Sequence, residues 1–133
     1  MNQNSKISKG EEKIIYILRN SNIDFIREKT FLDLKKGKYR FDFYLPLYNI
    51  CIECDGPQHF EQINFFQKNR KDFLSAQERD RRKNSYCLAH NIKLYRIPYF
   101  DINNINTFDD LIKEKYLVKY KWHNDILQKR YKL

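Results

Sequence analysis

The stretch IECDGPQHF, residues 52–60, sets two carboxylates one residue apart on what reads as a buried strand, then adds a turn and a histidine. Side chains alternate across a strand, so Glu53 and Asp55 share a face with Cys51, while Ile50, Ile52 and Cys54 take the other. Acids at core positions are unfavourable unless a cation, a proton or a donor compensates them. Upstream, LPLYN is a short loop from a second strand, YRFDFYLP, and the glycine turn KKGK at 35–38 separates that strand from a first, IDFIREKTF. The three strands form an antiparallel meander. On the second, Phe41, Phe43 and Leu45 are expected to share one face and Asp42 to take the other, which lets Asp42, Glu53 and Asp55 converge.

Outward from the meander, S-K-G-E at 8–11 matches a capping box and predicts a helix over 9–20. Ile7, Ile14, Ile15 and Leu18 form its apolar stripe, and Glu11 falls on that stripe, so it is expected to face inward. Residues 60–74 are polar, aromatic and poorly periodic, and read as a loop or irregular helix. A second helix is predicted from Ser75, as N-cap, through SAQERDRRKNSYCLAHN, with Asp80 and Lys83 on its packed side. IKLYRIPYF is a fourth strand ended by Pro98. From about Thr107 to Leu133 one or two helices are expected, anchored by Phe108, Leu111, Ile112, Leu117 and Trp122. The whole is one α/β (α+β) domain, residues 1–133, with a core over about 8–100 in the order αβββαβ and a basic helical extension over about 107–133.

Composition narrows the partners. The 133 residues carry 26 Lys+Arg against 17 Asp+Glu, a net charge of +9 that favours a polyanion. No apolar run is long enough to cross a bilayer and the N-terminus has no signal-peptide pattern, so a soluble, intracellular protein without a membrane partner is expected. The three cysteines lack framework spacing and fit a reducing compartment. Cys51-x-x-Cys54 is not read as a zinc site, because an i, i+3 pair on a strand points to opposite faces and no second Cys/His pair has ligand spacing.

Acids at Glu11, Asp42, Glu53, Asp55 and Asp80 form a hard-oxygen set suited to Mg²⁺ or Mn²⁺. In a basic protein such a site can cut a phosphodiester, with His59 taking a water's proton and Lys83 neutralising charge on the phosphate. Each residue also has a purely structural reading. Glu11 can be only the capping-box acid, Asp42 can pair with Arg40 or Lys38, and Asp55 can make an Asx-turn before Gly56. His59 can be an ordinary loop residue, and Asp80 with Lys83 an intrahelical pair.

The segments SKGEEKI, RFDFYLP, IECDGPQHF and RDRRKNSYCLAHNIKLYRIP together resemble the very-short-patch-repair (Vsr-like) and EDxHD homing-endonuclease branch of the PD-(D/E)XK nuclease superfamily. The resemblance covers roughly residues 8–100. It implies a restriction-endonuclease-like core and a Mg²⁺-dependent DNA endonuclease, with Mn²⁺ as an alternative ion. It also implies catalytic roles for Glu11, Asp42, Glu53, His59, Asp80 and Lys83, and metal ligation by Asp42, Glu53 and Asp55. Gln58 falls in the same E-x-D-G-x-Q-H signature. The chain departs from the wider superfamily in having Glu53-Cys54-Asp55 where E-x-K is usual, so the strand lysine's role passes to His59 or Lys83.

Phosphate contacts are expected from Lys68, Arg70, Lys71, Arg79 and Arg82, and from Lys119, Lys121, Lys129 and Arg130 in the tail. Because no expected catalytic residue lies beyond Lys83, removing the chain after Tyr116 is expected to weaken DNA binding and spare chemistry. The competing expectation is a nucleic-acid-binding module of the same fold without turnover. Either a monomer or a homodimer fits the sequence.

Overall fold

Ser8 starts the first helix, α1 (Lys9–Asn20), through a complete capping box: the Glu11 amide donates to Ser8 Oγ and the Ser8 amide donates to Glu11 Oε1, both at 3.1 Å. Ile14, Ile15, Ile17 and Leu18 form its buried face. The structure, a computed structural model, describes residues 7–57 and 70–123. It is a mixed α/β arrangement built on one four-stranded sheet of β1 (Ile26–Thr30), β2 (Arg40–Leu45), β3 (Ile50–Asp55) and β4 (Lys93–Pro98), in the spatial order β1-β2-β3-β4. The first three strands make the expected antiparallel meander. β4 runs parallel to β3, with Glu53 opposite Arg96 and Asp55 opposite Pro98. A parallel neighbour needs a crossover, and the helix α2 (Arg70–Ala89) lies within it.

Each face of the sheet carries an apolar layer. Ile14 and Leu18 of α1 pack with Phe43, Leu45, Ile50, Ile52 and Ile97. On the opposite face Cys87 of α2 packs with Phe41, Cys51 and Leu94. Burial on both sides explains why β3 and β4 read as nearly continuous apolar runs. It also explains why a charged side chain in either strand must find an internal partner.

Three expectations are corrected within this core. Phe41 does not share a face with Phe43 and Leu45; it packs on the α2 side, and the β2–β3 ladder is regular only from Phe43 to Leu45. α2 is already helical at Arg70, with Phe73 buried, so Ser75 is an internal position and not the N-cap. The first strand begins at Ile26, and Ile23 and Phe25 pack on the core ahead of it.

The end of the described chain is not a helical extension. A four-residue helix, α3 (Phe108–Leu111), and a 3-10 turn (Glu114–Tyr116) lead into an extended segment. There Leu117 bridges Tyr95 and the Val118 amide donates to the Leu94 carbonyl at 2.8 Å. The open edge of β4 offers unpaired backbone groups, and this segment satisfies them. Trp122, expected as an anchor, is 48% exposed. Among the described residues no helix is long and apolar enough to cross a membrane.

Candidate active site

β3, β4 and the start of β2 place charged side chains at one end of the sheet. There the normal ladder between β2 and β3 gives way to a reciprocal side-chain link. The Asp42 amide donates to Glu53 Oε2 at 2.6 Å, and the Cys54 amide donates to Asp42 Oδ2 at 2.8 Å. Each carboxylate therefore satisfies a backbone donor that strand pairing would have used, and each is held in place by the other's strand.

α1 closes over this point. Gly10 makes the approach possible, since a Cβ there would lie 2.5 Å from Cys54 Sγ. The result is a cleft of about 510 Å³ lined by the first turn of α1, including Lys9 and Glu11, by Asp42 and residues 53–57, and by Tyr99 and Ile102. Glu11 is thus both the capping acid and part of the cleft lining, and it lies 3.8 Å from the Arg27 guanidinium.

Behind the cleft, on the α2 side, lies a buried ionic network. Lys83 Nζ donates to Glu53 Oε1 and to the Arg40 carbonyl, both at 2.6 Å, and sits 4.9 Å from the centre of the Phe41 ring. Arg96, fully buried, donates through Nη1 to Asp55 Oδ1 at 2.9 Å and through Nε to Asn84 Oδ1 at 2.9 Å. Its guanidinium also lies 4.0 Å from Glu53 and 3.6 Å from Asp80. The Asn84 amide in turn donates to the Lys121 carbonyl at 2.9 Å. A fixed, delocalised cation with several donors suits this bridging place better than a lysine would.

The structure thus brings together Glu11, Asp42, Glu53 and Asp55 at the cleft, and places Asp80 and Lys83 in the network behind them. Lys83 is held by Glu53 and a backbone carbonyl, which is a positioning contact and not an exposed cation aimed at a phosphate. The structural pairings expected for Asp42 and Asp80 are not made: Arg40 binds Glu28 at 2.9 Å, and Asp80 faces Arg96. His59, Gln58, Lys68, Lys129 and Arg130 lie outside the described residues. Arg70, Lys71, Arg79 and Arg82 are exposed along α2, with Arg82 also bound to Glu78 at 2.8 Å. Lys119 is paired with Glu114, and Lys121 covers the Trp122 ring at 4.5 Å.

Two participants were missed by sequence reasoning, Arg96 and Asn84. The signal available for Arg96 was a guanidinium in the middle of LYRIP, a strand otherwise fit for burial on both faces. Asn84 had no local signal, because its partners come from β4 and from the chain beyond α3.

Burial pushes the Asp42 carboxyl up to about 8, and the nearby Glu53 and Glu11 carboxylates add to the rise. At neutral pH Asp42 is thus largely protonated unless a cation joins the site. Burial, with Asp42 and Asp55 next to it, also lifts the Cys54 thiol to about 12, so this cleft cysteine is a neutral thiol and no thiolate nucleophile. Cys51 and Cys54 face opposite layers, as their spacing required.

Among the described residues no three His, Cys, Asp or Glu side chains are grouped to hold a metal ion. Glu53 uses both oxygens, on Lys83 and on the Asp42 amide, and Asp55 is engaged by Arg96. The donor chemistry nevertheless fits a hard divalent ion. Asp42 is a carboxylate whose charge the site disfavours for want of a cation, and Mg²⁺ is commonly bound through only one or two carboxylates, with waters or phosphate oxygens completing its shell.

No protein-family model matches the chain, and no solved structure matches it. It is similar to viral proteins. To Uncharacterized protein 307L of Invertebrate iridescent virus 6 it is 33% identical over 76 residues, covering 56% of this chain and 38% of that protein. To Uncharacterized protein 094L of Frog virus 3 it is 32% identical over 97 residues, covering 69% of this chain and 63% of that protein. The chain spans less than two thirds of the length of either relative.

Proposed function

We propose that the protein is a Mg²⁺-dependent DNA endonuclease with a restriction-endonuclease-like core, of the Vsr-like and EDxHD branch of the PD-(D/E)XK superfamily. The observation that supports this best is the Asp42–Glu53 cross-link inside a cleft capped by Glu11: acids fixed at the end of a sheet, in a protein of net charge +9. Asp42 and Glu53 would hold the ion, with Asp55 beside them. When bound, Mg²⁺ supplies charge stabilisation at the phosphate and makes an attacking water more acidic. Lys83 keeps Glu53 aimed, Arg96 keeps Asp55 and Asp80 in place, and His59 takes the proton from the water. The basic face of α2 carries the DNA backbone.

The test is incubation of the full chain with supercoiled and branched DNA in Mg²⁺, Mn²⁺ or EDTA. Nicking in either ion, absent in EDTA and in Glu53→Gln, is the expected result, with DNA binding by Glu53→Gln retained. His59→Ala should slow nicking by roughly 10²- to 10⁴-fold, the usual worth of a general base. Equal nicking by wild type and Glu53→Gln would remove the site assignment.

A second reading, a nucleic-acid-binding module without turnover, is favoured by one observation: Glu53 and Asp55 are already engaged by Lys83 and Arg96. It requires DNA binding with no cleavage in any divalent ion.

A further inference from the structure

The loop between β1 and β2, residues 31–39, does not line the carboxylate cleft, yet it is firmly built. Leu34 is buried, and Phe31 packs edge-on against Phe41 with ring centres 5.7 Å apart and lies 5.1 Å from Tyr86 of α2. Asp33 accepts a hydrogen bond from the Tyr86 hydroxyl at 2.7 Å and lies 3.5 Å from His90 Nε2. After these anchors Lys35, Lys36 and Gly37 are all left-handed, with φ of 51°, 54° and 77°, and beyond them Tyr39 packs on the same apolar layer. Two lysines in that conformation are unfavourable on their own, and the anchored ends hold them there.

What the loop presents is positive charge. Lys35, Lys36 and Lys38 are exposed and, with Leu32 and Asp33, line a depression of about 450 Å³. The one acid in that lining, Asp33, is already engaged by Tyr86 and His90. The position is as informative as the charge. Thr30 pairs with Arg40 at the base of the loop, so the loop leaves the sheet at the end where β3 finishes in Glu53 and Asp55 and β4 in Arg96 and Pro98. At a rise of about 3.3 Å per residue, Lys38 lies within about 13 Å of Asp42. In the other direction Leu34 shares a second depression, of about 340 Å³, with Glu78, Arg81, Arg82, Tyr86 and Lys121. The loop packs on the α2 side of the sheet, where this depression brings in Arg81, Arg82 and Lys121.

We infer that the β1–β2 loop is a clamp for duplex nucleic acid, with Lys35, Lys36 and Lys38 on successive backbone phosphates. The inference rests on the nucleic-acid reading of the cleft and assigns it a contact surface. A duplex is favoured over an acidic protein because the loop, with three lysines within four residues, leaves the sheet at the same end as the carboxylates that the nuclease reading places at a phosphodiester.

The experiment is fluorescence anisotropy of the full chain with a labelled duplex of about 20 base pairs in EDTA, from about 50 to 200 mM salt, with polyglutamate as competitor. The variant Lys35→Gln/Lys36→Gln/Lys38→Gln keeps the side-chain stems. Its affinity should fall by about ten-fold or more, and the slope of log K against log salt should shrink by about 2 to 3, close to 0.9 per lost phosphate contact. Lys93→Gln, at the opposite end of the sheet, is the single-charge control and should change affinity less than about two-fold. A loss per charge no greater than in the control overturns the clamp and leaves the nucleic-acid reading standing. Competition by polyglutamate at the same charge concentration as DNA overturns the choice of partner. A wild-type chain that binds no duplex removes both readings.

Discussion

Asp42 titrates at a pH where its charge matters to both stability and chemistry. The unfolded chain releases this proton near pH 4, while the folded protein, with its carboxyl raised to about 8, holds it until mildly alkaline pH. Below pH 4 the two states carry the same proton and no penalty exists. Between about pH 4 and 8 each unit of pH favours the unfolded state by at most about 1.4 kcal/mol, and above 8 the penalty is complete. Asp42→Asn removes the titration. In EDTA it should melt several degrees above wild type at pH 8, with the difference vanishing as pH falls toward 4. Identical melting at pH 8 would mean that Asp42 ionises without strain. The same coupling acts on a cation, which competes with the proton. Mg²⁺ affinity should rise by up to about ten-fold per pH unit from 6 to 8, and calorimetry in buffers of different ionisation enthalpy should show a proton released. Neither effect touches a residue whose sole function is packing.

Between elements, two contacts decide whether the acids are held in register. Gly10 lets the first turn of α1 lie against Cys54. Alanine normally favours a helix interior over glycine by about 1 kcal/mol, yet here its Cβ would enter the Cys54 sulfur. Gly10→Ala should therefore lower stability by about 1–3 kcal/mol in urea titrations, and Gly10→Ala/Cys54→Ala should recover most of the loss. Arg96 is the second contact. Arg96→Met leaves Asp55 and Asp80 without their shared cation, which should cost about 3–5 kcal/mol, while Arg96→Lys, which keeps a cation there, should cost less. Equal losses in the two variants would make Arg96 a packing residue only. These contacts also mark the limit of legibility. The bounds of α1 and the parity of β3 could be read directly, since capping chemistry and alternation are local. The reversal at Phe41 could not, because it follows from two side chains, Asp42 and Glu53, replacing ladder bonds between strands. The role of Arg96 was hidden for a similar reason: its acids arrive from two different elements, β3 and α2.

At the scale of the molecule, charge and composition pointed to a polyanionic partner, but they gave no account of what the chain beyond α3 does for the fold. Sequence periodicity suggested helices there, and the contacts that decide otherwise lie at the edge of β4. Val118 is buried and its amide completes a bond to Leu94, Leu117 bridges Tyr95, and the Lys121 carbonyl accepts from Asn84, the residue that orients Arg96. This segment is part of the structure that holds the acids, which changes the expected result of truncation. Ending the chain after Tyr116 removes a buried valine worth about 1.5–3 kcal/mol and leaves the Asn84 amide unsatisfied, at about 1–3 kcal/mol more. Against a typical total of about 5–15 kcal/mol that is a large fraction. The shortened protein should melt at least about 10 °C lower and, on the nuclease reading, lose cleavage along with binding. Ending it after His123 keeps all four contacts and removes only residues 124–133, among them Lys129, Arg130 and Lys132. On the nuclease reading that variant should keep its rate at saturating DNA, while its binding becomes weaker and less salt-dependent. If the chain ending at Tyr116 melts with wild type, the edge contacts of Leu117 and Val118 contribute nothing to the fold, and the tail returns to being an appendage for binding.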